Sequence, residues 1–268
     1  MALTQQEEGE RFGALHEGEP FVIPNPWDAG SAKVLAGLGF KALATTSGGF
    51  AFTLGRHDGS VTLEEVAAHV TSVSEATDLP VSVDLENGYG PAPRDAATAI
   101  STAAAAGAVG GSIEDYDRDD GELYELDRAA ERIAAAVEAA RALDFPFTLT
   151  ARAENHLRGN PDLDDTIARL QAYERAGADV LYAPFLSTAE QIRAVCEAVS
   201  KPVNALANAR LGLNWGEIAE AGAQRISVGS GLTWSAIDGA IEAAEQIIDD
   251  GDFSGLGTPG RVSEWLGS

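Results

Sequence analysis

The chain alternates eight times between a short apolar run and an alanine-rich stretch with helical periodicity. Strands that alternate with helices predict parallel βαβ units joined by right-handed crossovers. Eight such units without a break in composition predict one (β/α)₈ barrel of the TIM type, a single domain over residues 1–268. The apolar runs predict strands at residues 20–25, 42–47, 80–86, 110–115, 147–154, 180–185, 202–207 and 225–230.

The stretches between these strands predict the helices of the barrel. The alternative fold is an open doubly wound sheet, but no G-x-G-x-x-G motif follows the first strand. A glycine-rich segment follows the last predicted helix and ends in a short helical tail with Trp265. The predicted helices span 29–40, 62–77, 92–107, 125–143, 163–177, 188–200, 215–222 and 232–249.

Charge and cysteine content limit the partners of the protein. With 42 acidic and 18 basic residues the formal net charge is −24, which repels nucleic acid and anionic membranes. An anionic substrate would therefore need local cations or a metal. Cys196 is the single cysteine and lies in a helical pattern, so we expect a packed residue, no intrachain disulfide and a cytoplasmic location. No apolar run is long enough to span a membrane, and the polar start does not resemble a signal peptide.

The polar residues at the strand ends predict the active site, because the carboxyl ends of barrel strands build it. Asp84 and Glu86 end the third strand, and their i, i+2 spacing predicts that both face one point. The fourth strand supplies Glu114 and Asp115. Four converging carboxylates would repel one another, and Mg²⁺, or alternatively Mn²⁺, would remove the conflict. The alternative is that Asp84 and Glu86 cap a helix or face solvent.

Other strand ends supply candidate substrate contacts. The segment TSGGF, with Thr46, Ser47, Gly48 and Gly49, predicts a glycine turn whose N–H groups can receive an oxyanion, although such a turn is often only a turn. Arg152 ends the fifth strand and can hold a carboxylate through two bonds, or pair with Glu154 or Glu114. Asn204 lies at the end of the seventh strand.

The four histidines give weaker signals. His57 is expected in a loop, and His156 could face the barrel mouth. His16 and His69 lie in helical patterns and are expected at the surface.

Four segments together resemble a known family. They are NPWDAGSAKVLAGLGFKALATTSGG, VDLENGYG, GSIED and TARAEN, in this order, and they resemble the isocitrate lyase / phosphoenolpyruvate mutase superfamily over residues 20–240. The resemblance implies a (β/α)₈ barrel whose eighth helix is exchanged between subunits, and a homo-oligomer, dimer or tetramer. It also implies chemistry on small 2-oxo or 2-hydroxy carboxylates through an enolate.

The resemblance also implies roles for individual residues. Asp84 would bind Mg²⁺, with Glu86 and Glu114 helping through water. Asp58, in GRHDGS, matches a further acid on the segment after the second strand. Ser47, Gly48 and Gly49 match the segment that holds substrate oxygens, and Arg152 matches the arginine that holds the substrate.

One motif of the superfamily is missing. Its lyases carry a Lys-[LysArg]-Cys-Gly-His segment after IED, whereas residues 115–126 here read DYDRDDGELYEL and contain no cysteine, histidine or lysine. The lysine and Thr or Asn of the mutase branch are absent from it too. The general acid is therefore not identified; Asp58, His57, Tyr89 and Glu154 are candidates for a base.

Three functions remain open. The first is a Mg²⁺-dependent carbon–carbon lyase or decarboxylase for a small 2-oxo or 2-hydroxy di- or tricarboxylate, with Asp58, Arg152 and Glu114 as catalytic residues. The second is a phosphorus–carbon enzyme of the phosphonopyruvate hydrolase or phosphoenolpyruvate mutase type. The third is a non-catalytic binder of an oxo acid. Turnover would separate the third from the others, and phosphate release would separate the second from the first.

Overall fold

The computed structural model describes residues 3–266. Their strands are β1 (Phe21–Ile23), β2 (Leu43–Ala44), β3 (Val81–Asp84), β4 (Gly110–Glu114), β5 (Tyr116–Asp117), β6 (Glu122–Leu123), β7 (Thr148–Arg152), β8 (Val180–Tyr182), β9 (Val203–Leu206) and β10 (Arg225–Ser227). Their helices are α1 (Gln5–Leu15), α2 (Ala29–Gly37), α3 (Ser47–Thr53), α4 (Leu63–Glu75), α5 (Pro93–Ala105), α6 (Leu126–Arg141), α7 (Leu163–Arg175), α8 (Ala189–Ala198), α9 (Trp215–Glu220), α10 (Gly231–Asp250) and α11 (Val262–Leu266).

Eight parallel strands form the barrel. They pair in the order β1-β10-β9-β8-β7-β4-β3-β2, and the N–H of Ala44 donates to the oxygen of Pro24 at 3.1 Å, which links β2 back to β1. Helices connect these strands, so the predicted (β/α)₈ barrel is confirmed. The strands are shorter than the apolar runs that predicted them, because several of those runs include the turn residues that follow each strand.

Helix α1, which the sequence analysis did not predict, packs at the amino ends of the strands. Thr4 and Glu7 form its capping box, a pattern that the sequence does contain. Phe12 is fully buried against Gly110, where an added Cβ would lie 2.6 Å from the ring. His16, four residues on, is buried on the same face, so its prediction as a surface residue was wrong; His69 is buried too.

The predicted glycine turn after β2 is instead the first turn of helix α3. Thr46 is the N-cap, and its Oγ1 accepts a bond from the N–H of Gly49 at 3.4 Å. Close packing explains both glycines. A Cβ added at Gly48 would lie 2.9 Å from Ser230 Oγ, and a Cβ added at Gly49 would lie 2.6 Å from Thr46. Helix α3 therefore packs directly against the start of α10.

Helix α10 is the predicted eighth helix, and it leaves the barrel surface. Of its twenty residues only Thr233 is buried. Its exposed apolar side chains include Trp234, Ile241 and Ile248, the last with 80% exposure. Helix α11 returns to the barrel, where Trp265 packs on Gly37 of α2.

None of the described helices is both long enough and apolar enough to cross a membrane.

Candidate active site

The segments that follow the strands surround a cavity of about 390 Å³. It is lined by six of the residues selected from the sequence, namely Thr46, Ser47, Asp58, Asp84, Arg152 and Asn204. Glu86 and Glu114 contact lining residues instead of lining the cavity themselves. The cavity lies at the barrel end where enzymes of this fold have their active sites.

Arg152 is the centre of an ionic cluster beside this cavity. Its Nη1 donates to Asp84 Oδ1 at 2.8 Å, and its Nη2 and Nε donate to Glu154 Oε1 at 2.8 and 3.1 Å. Its Nη2 also lies 3.1 Å from Glu114 Oε2, and the guanidinium stacks over the Tyr182 ring at 5.3 Å. Three carboxylates thus share one arginine, so most of its N–H groups are already used.

Arg118 completes the cluster, and sequence reasoning missed it. It follows β5 in the hairpin that β5 and β6 form, within the segment that lacks the lyase motif. Its Nε lies 3.1 Å from Glu86 Oε2, and its Nη2 lies 3.7 Å from Glu114 Oε1. Gly59 leaves room for this guanidinium, because a Cβ there would lie 1.8 Å from Arg118 Nη1. The hairpin therefore places a cation where the lyases carry their motif.

Glu114 and Glu154 lie in the buried part of the cluster. Glu114 is 1% exposed, and Glu154 is fully buried. Burial raises the pKa of Glu114 well above its ordinary value, and the charge of Glu154 raises it further. Arg158 approaches both acids, with its Nη2 at 3.4 Å from Glu114 Oε1 and 3.3 Å from Glu154 Oε2. Glu114 can therefore keep a proton at a pH where an ordinary glutamate has lost it.

Asp115 does not join the cluster, so the prediction of its convergence with the other acids was wrong. Its carboxylate pairs with Arg169 at 3.0 Å, accepts the Tyr173 hydroxyl at 2.5 Å and accepts the N–H of Glu154 at 2.8 Å. Successive side chains of a strand point to opposite faces, so a Glu114 that faces the interior sends Asp115 outward. Asp115 ties the barrel to α7.

Glu86 reaches the cluster by a route other than the predicted one. Strand β3 ends at Asp84, and Glu86 has a positive φ of 51° in the turn that follows. Its N–H donates to Asp84 Oδ1 at 3.2 Å. The two acids meet because the backbone turns back, and a non-glycine residue in this conformation is typical of functional sites.

The acids at this turn differ in their protonation. Burial raises the pKa of Glu86 to about 7, although the charge of Arg118 lowers it. Burial would also raise the pKa of Asp84, but the charge of Arg152 and the N–H of Glu86 outweigh it, and this pKa lies below its ordinary value. Asp84 therefore stays ionised at the cavity wall at a pH where Glu86 is partly protonated.

The donor set fits a hard divalent cation with few protein ligands. Among residues 3–266, no three His, Cys, Asp or Glu side chains form a ready cluster of metal ligands. Mg²⁺ commonly takes one or two carboxylates and keeps several waters, so it does not need such a cluster. Glu86 Oε1 is buried without a hydrogen-bond partner, and Asp84 faces the cavity. Both could contribute oxygen atoms to such an ion.

The remaining predicted residues lie around the cavity wall. Thr46 Oγ1 lies 2.7 Å from Ser230 Oγ, and Ser47 hydrogen-bonds to Asp84. Asp58 is exposed at the rim. The Asn204 amide donates to Ser227 Oγ and accepts from Arg225 Nε, both at 2.9 Å.

The described part of the cavity wall contains no histidine, cysteine or lysine. Cys196 is half-buried in α8, where burial raises the pKa of its thiol to about 11, so it is not a nucleophile of this site. The wall offers carboxylates, arginines, hydroxyls and amides. The arginines, hydroxyls and amides can bind an anionic substrate and stabilise developing negative charge.

Comparisons with known proteins identify the family of the chain. The family model described as phosphoenolpyruvate phosphomutase matches residues 12–248. A solved structure from Burkholderia cenocepacia J2315, described as a lyase/mutase, is 50% identical, has a TM-score of 0.95 and covers 98% of this chain and 97% of that one. An uncharacterized protein of Mycobacterium tuberculosis is 30% identical over 238 residues, 88% of each chain.

A relative with a named activity is also similar. The 2-methylisocitrate lyase of Halalkalibacterium halodurans is 32% identical over 205 residues, which is 75% of this chain and 67% of that protein. These matches confirm the resemblance carried by the four sequence segments. The chain therefore belongs to the phosphoenolpyruvate phosphomutase family, within the isocitrate lyase / phosphoenolpyruvate mutase superfamily of enzymes.

Proposed function

We propose that the protein is a Mg²⁺-dependent carbon–carbon lyase or decarboxylase that acts on a small 2-oxo or 2-hydroxy di- or tricarboxylate through an enolate. The observation that carries the proposal is the ionised Asp84 at the cavity surface, with Arg152 beside it and Glu86 and Glu114 behind it. The similarity to a 2-methylisocitrate lyase supports carbon–carbon chemistry. A cytoplasmic location is part of the proposal.

The chain's own residues divide the work of this reaction. Arg152 orients the carboxylate next to the bond that breaks, through the Nη1 donor that its contacts with the acids leave free. In a 2-hydroxy substrate, Asp58 takes the hydroxyl proton, the carbon–carbon bond breaks, and its electron pair passes into the enolate. Glu114, which lies behind Arg152 and outside the cavity wall, holds a proton because its pKa is raised, and a water molecule would carry that proton to the enolate carbon. In a 2-oxo acid that loses CO₂, Asp58 is not needed.

The divalent ion, when bound by Asp84 and through water by Glu86 and Glu114, would supply positive charge beside the developing enolate. Mg²⁺ is favoured because the available ligands are carboxylate oxygens, and Mn²⁺ is the alternative.

A coupled assay with Mg²⁺ tests the proposal. Oxaloacetate, isocitrate, 2-methylisocitrate, dimethylmalate and phosphonopyruvate are offered, and pyruvate, glyoxylate and phosphate are measured. We expect pyruvate or glyoxylate without phosphate from one of the carboxylates. Phosphate from phosphonopyruvate would instead favour a phosphorus–carbon hydrolase, and conversion of phosphonopyruvate to phosphoenolpyruvate would favour the mutase activity that the family name suggests. Binding without any turnover would favour a non-catalytic binder.

The protein is further proposed to be a homo-oligomer, a dimer or tetramer, in which α10 is exchanged between subunits. Nearly all of α10 is exposed in the single chain, including Trp234, Ile241 and Ile248. A helix with such apolar residues on its surface gains stability by packing against another chain. The start of α10 contacts α3, so exchange would also fix the cavity wall around Thr46 and Ser230.

The double variant Ile241→Glu/Ile248→Glu is expected to reduce the oligomer to monomers, because two charges would be buried in the exchanged interface. Molar mass from light scattering after size exclusion measures the change. Lys41→Glu is the matched control, since it also adds two units of negative charge at an exposed position. A wild-type monomer, or a double variant of unchanged mass, would contradict the exchange.

A further inference from the structure

Arg225 is a buried cation without a buried counter-ion. It begins β10, is 5% exposed, and points into the barrel below Ser227, which lies two residues further along the same strand. In the described chain its bonds go only to neutral groups. Nε donates to Asn204 Oδ1 and Nη2 to Thr150 Oγ1, both at 2.9 Å, and Nη1 lies 3.3 Å from His16 Nε2.

His16, which contacts Arg225, is uncharged. Its Nδ1 lies 2.9 Å from the Phe12 oxygen, which assigns the ring proton to Nδ1 and leaves Nε2 to accept from Arg225. Burial, with the charge of Arg225, lowers the pKa of His16 to about 3. The imidazole therefore leaves the charge of Arg225 unbalanced at neutral pH.

Arg225 still has donors to offer. A guanidinium carries five N–H groups, of which these contacts use three, so one N–H on each terminal nitrogen remains. Two free donors on one guanidinium are the number that a two-point contact with a carboxylate uses. Arg225 also lines the same cavity as Arg152 and Asp84.

The strand register places the two arginines on one row of the sheet. Arg152 pairs with Tyr182, Tyr182 with Asn204, and Asn204 with Arg225. The Arg225 side chain reaches Thr150, two residues before Arg152 on β7, so it lies deeper in the barrel than Arg152. A ligand that extends from Asp84 and Arg152 into the barrel would meet Arg225.

The other arginines near the cavity are paired with acids, whereas Arg225 is not. Arg152 is shared by three carboxylates, and Arg118 and Arg158 are paired with acids of the same cluster. Arg225 is therefore the un-neutralised fixed cation among the described residues that line the cavity. A buried charge without a counter-ion destabilises the folded protein, and an anionic ligand would remove that cost.

We propose that Arg225, supported by Asn204, Thr150 and His16, binds a second carboxylate of the substrate at the floor of the cavity. The inference rests on the proposed function, because it names this group on the same ligand. It gives two carboxylates of the proposed di- or tricarboxylate substrate separate places, one beside Asp84 and Arg152 and the other at Arg225. Although the net charge of the chain is −24, the guanidinium of Arg225, which has no counter-ion, would provide a local positive charge that attracts a dianion.

Calorimetry on the intact protein with saturating Mg²⁺ tests the inference through binding alone. Malonate, succinate and glutarate are compared with propionate, butyrate and valerate, the monocarboxylates of the same carbon number. We expect one diacid to bind the wild type about thirtyfold more tightly than its matched monoacid. Arg225→Gln should abolish that difference while leaving monoacid affinity unchanged, and Arg225→Lys should keep part of it.

Each possible result supports or overturns the proposal. A wild type that does not distinguish diacids from monoacids would overturn the proposal, even if Arg225→Gln does not fold. Folded Arg225→Gln and Arg225→Lys proteins with wild-type diacid affinity would show that Arg225 only supports the barrel. Turnover without a diacid preference would overturn this inference alone, whereas a diacid preference without turnover would overturn the proposed activity alone.

Discussion

Asp84→Asn is expected to weaken Mg²⁺ binding by about a hundredfold or more. Removing a group that only orients a metal ligand already weakens metal binding by up to about a hundredfold, and Asp84 is proposed as a ligand itself. Asp84 is the acid at the cavity surface whose pKa is lowered, so it supplies the ionised oxygens on which the proposed site depends. Asparagine keeps the shape and can still accept the Arg152 bond, which leaves the fold close to that of the wild type. Calorimetric titration with Mg²⁺ measures the loss, and turnover should fall with it.

Asp119→Asn is the control for this substitution. Asp119 is exposed in the β5–β6 hairpin, so its replacement also removes one negative charge but leaves the cluster intact. Its Mg²⁺ affinity should equal that of the wild type. Equal affinities of Asp84→Asn and wild type would refute the assignment of Asp84 as a metal ligand.

The architecture could be predicted because the barrel repeats one simple pattern eight times. Each unit buries a strand on both faces and one stripe of a helix, and both leave a periodic signal in the sequence. Helix α1 was missed although Thr4 and Glu7 carry a capping box, since its short polar sequence shows little periodicity. The boundary of β3 was placed two residues too late, because Leu85 continues the apolar pattern into the turn.

The grouping of the candidate residues could be predicted where it depends on strand ends, but not where it depends on the direction of a side chain or on a segment distant in the sequence. Alternation along β4 already implies that Glu114 and Asp115 face opposite sides, which excludes Asp115 from the cluster. Arg118 had no comparable signal. Its position depends on a hairpin that folds back over Gly59, a contact that no local pattern encodes. The sequence offers one physical hint. Buried acidic residues need nearby cations, and Arg118 and Arg158 lie close to Glu114 and Glu154 in the sequence.

Arg152→Gln is expected to lower kcat/KM by about 10²- to 10³-fold, because removing one partner of a buried, hydrogen-bonded charge pair costs roughly 2–5 kcal/mol. The structure adds a cost in stability. Asp84, Glu114 and Glu154 all depend on this guanidinium, so the free energy of unfolding should fall by about 3–5 kcal/mol. Steady-state kinetics and urea unfolding measure the two effects separately.

Arg152→Lys separates the charge of this residue from its geometry. A lysine keeps the positive charge near the three carboxylates, so most of the stability should return, but an ammonium cannot replace the planar fork. Activity should therefore stay at least about tenfold below that of the wild type, the value of one strong hydrogen bond. Arg141→Gln is the control, since it breaks a partly exposed pair with Asp179 away from the cavity and should leave kcat/KM unchanged. If both Arg152 variants lost stability but kept wild-type kinetics, Arg152 would serve only to hold the acids together, and substrate recognition would pass to the metal and to Arg225.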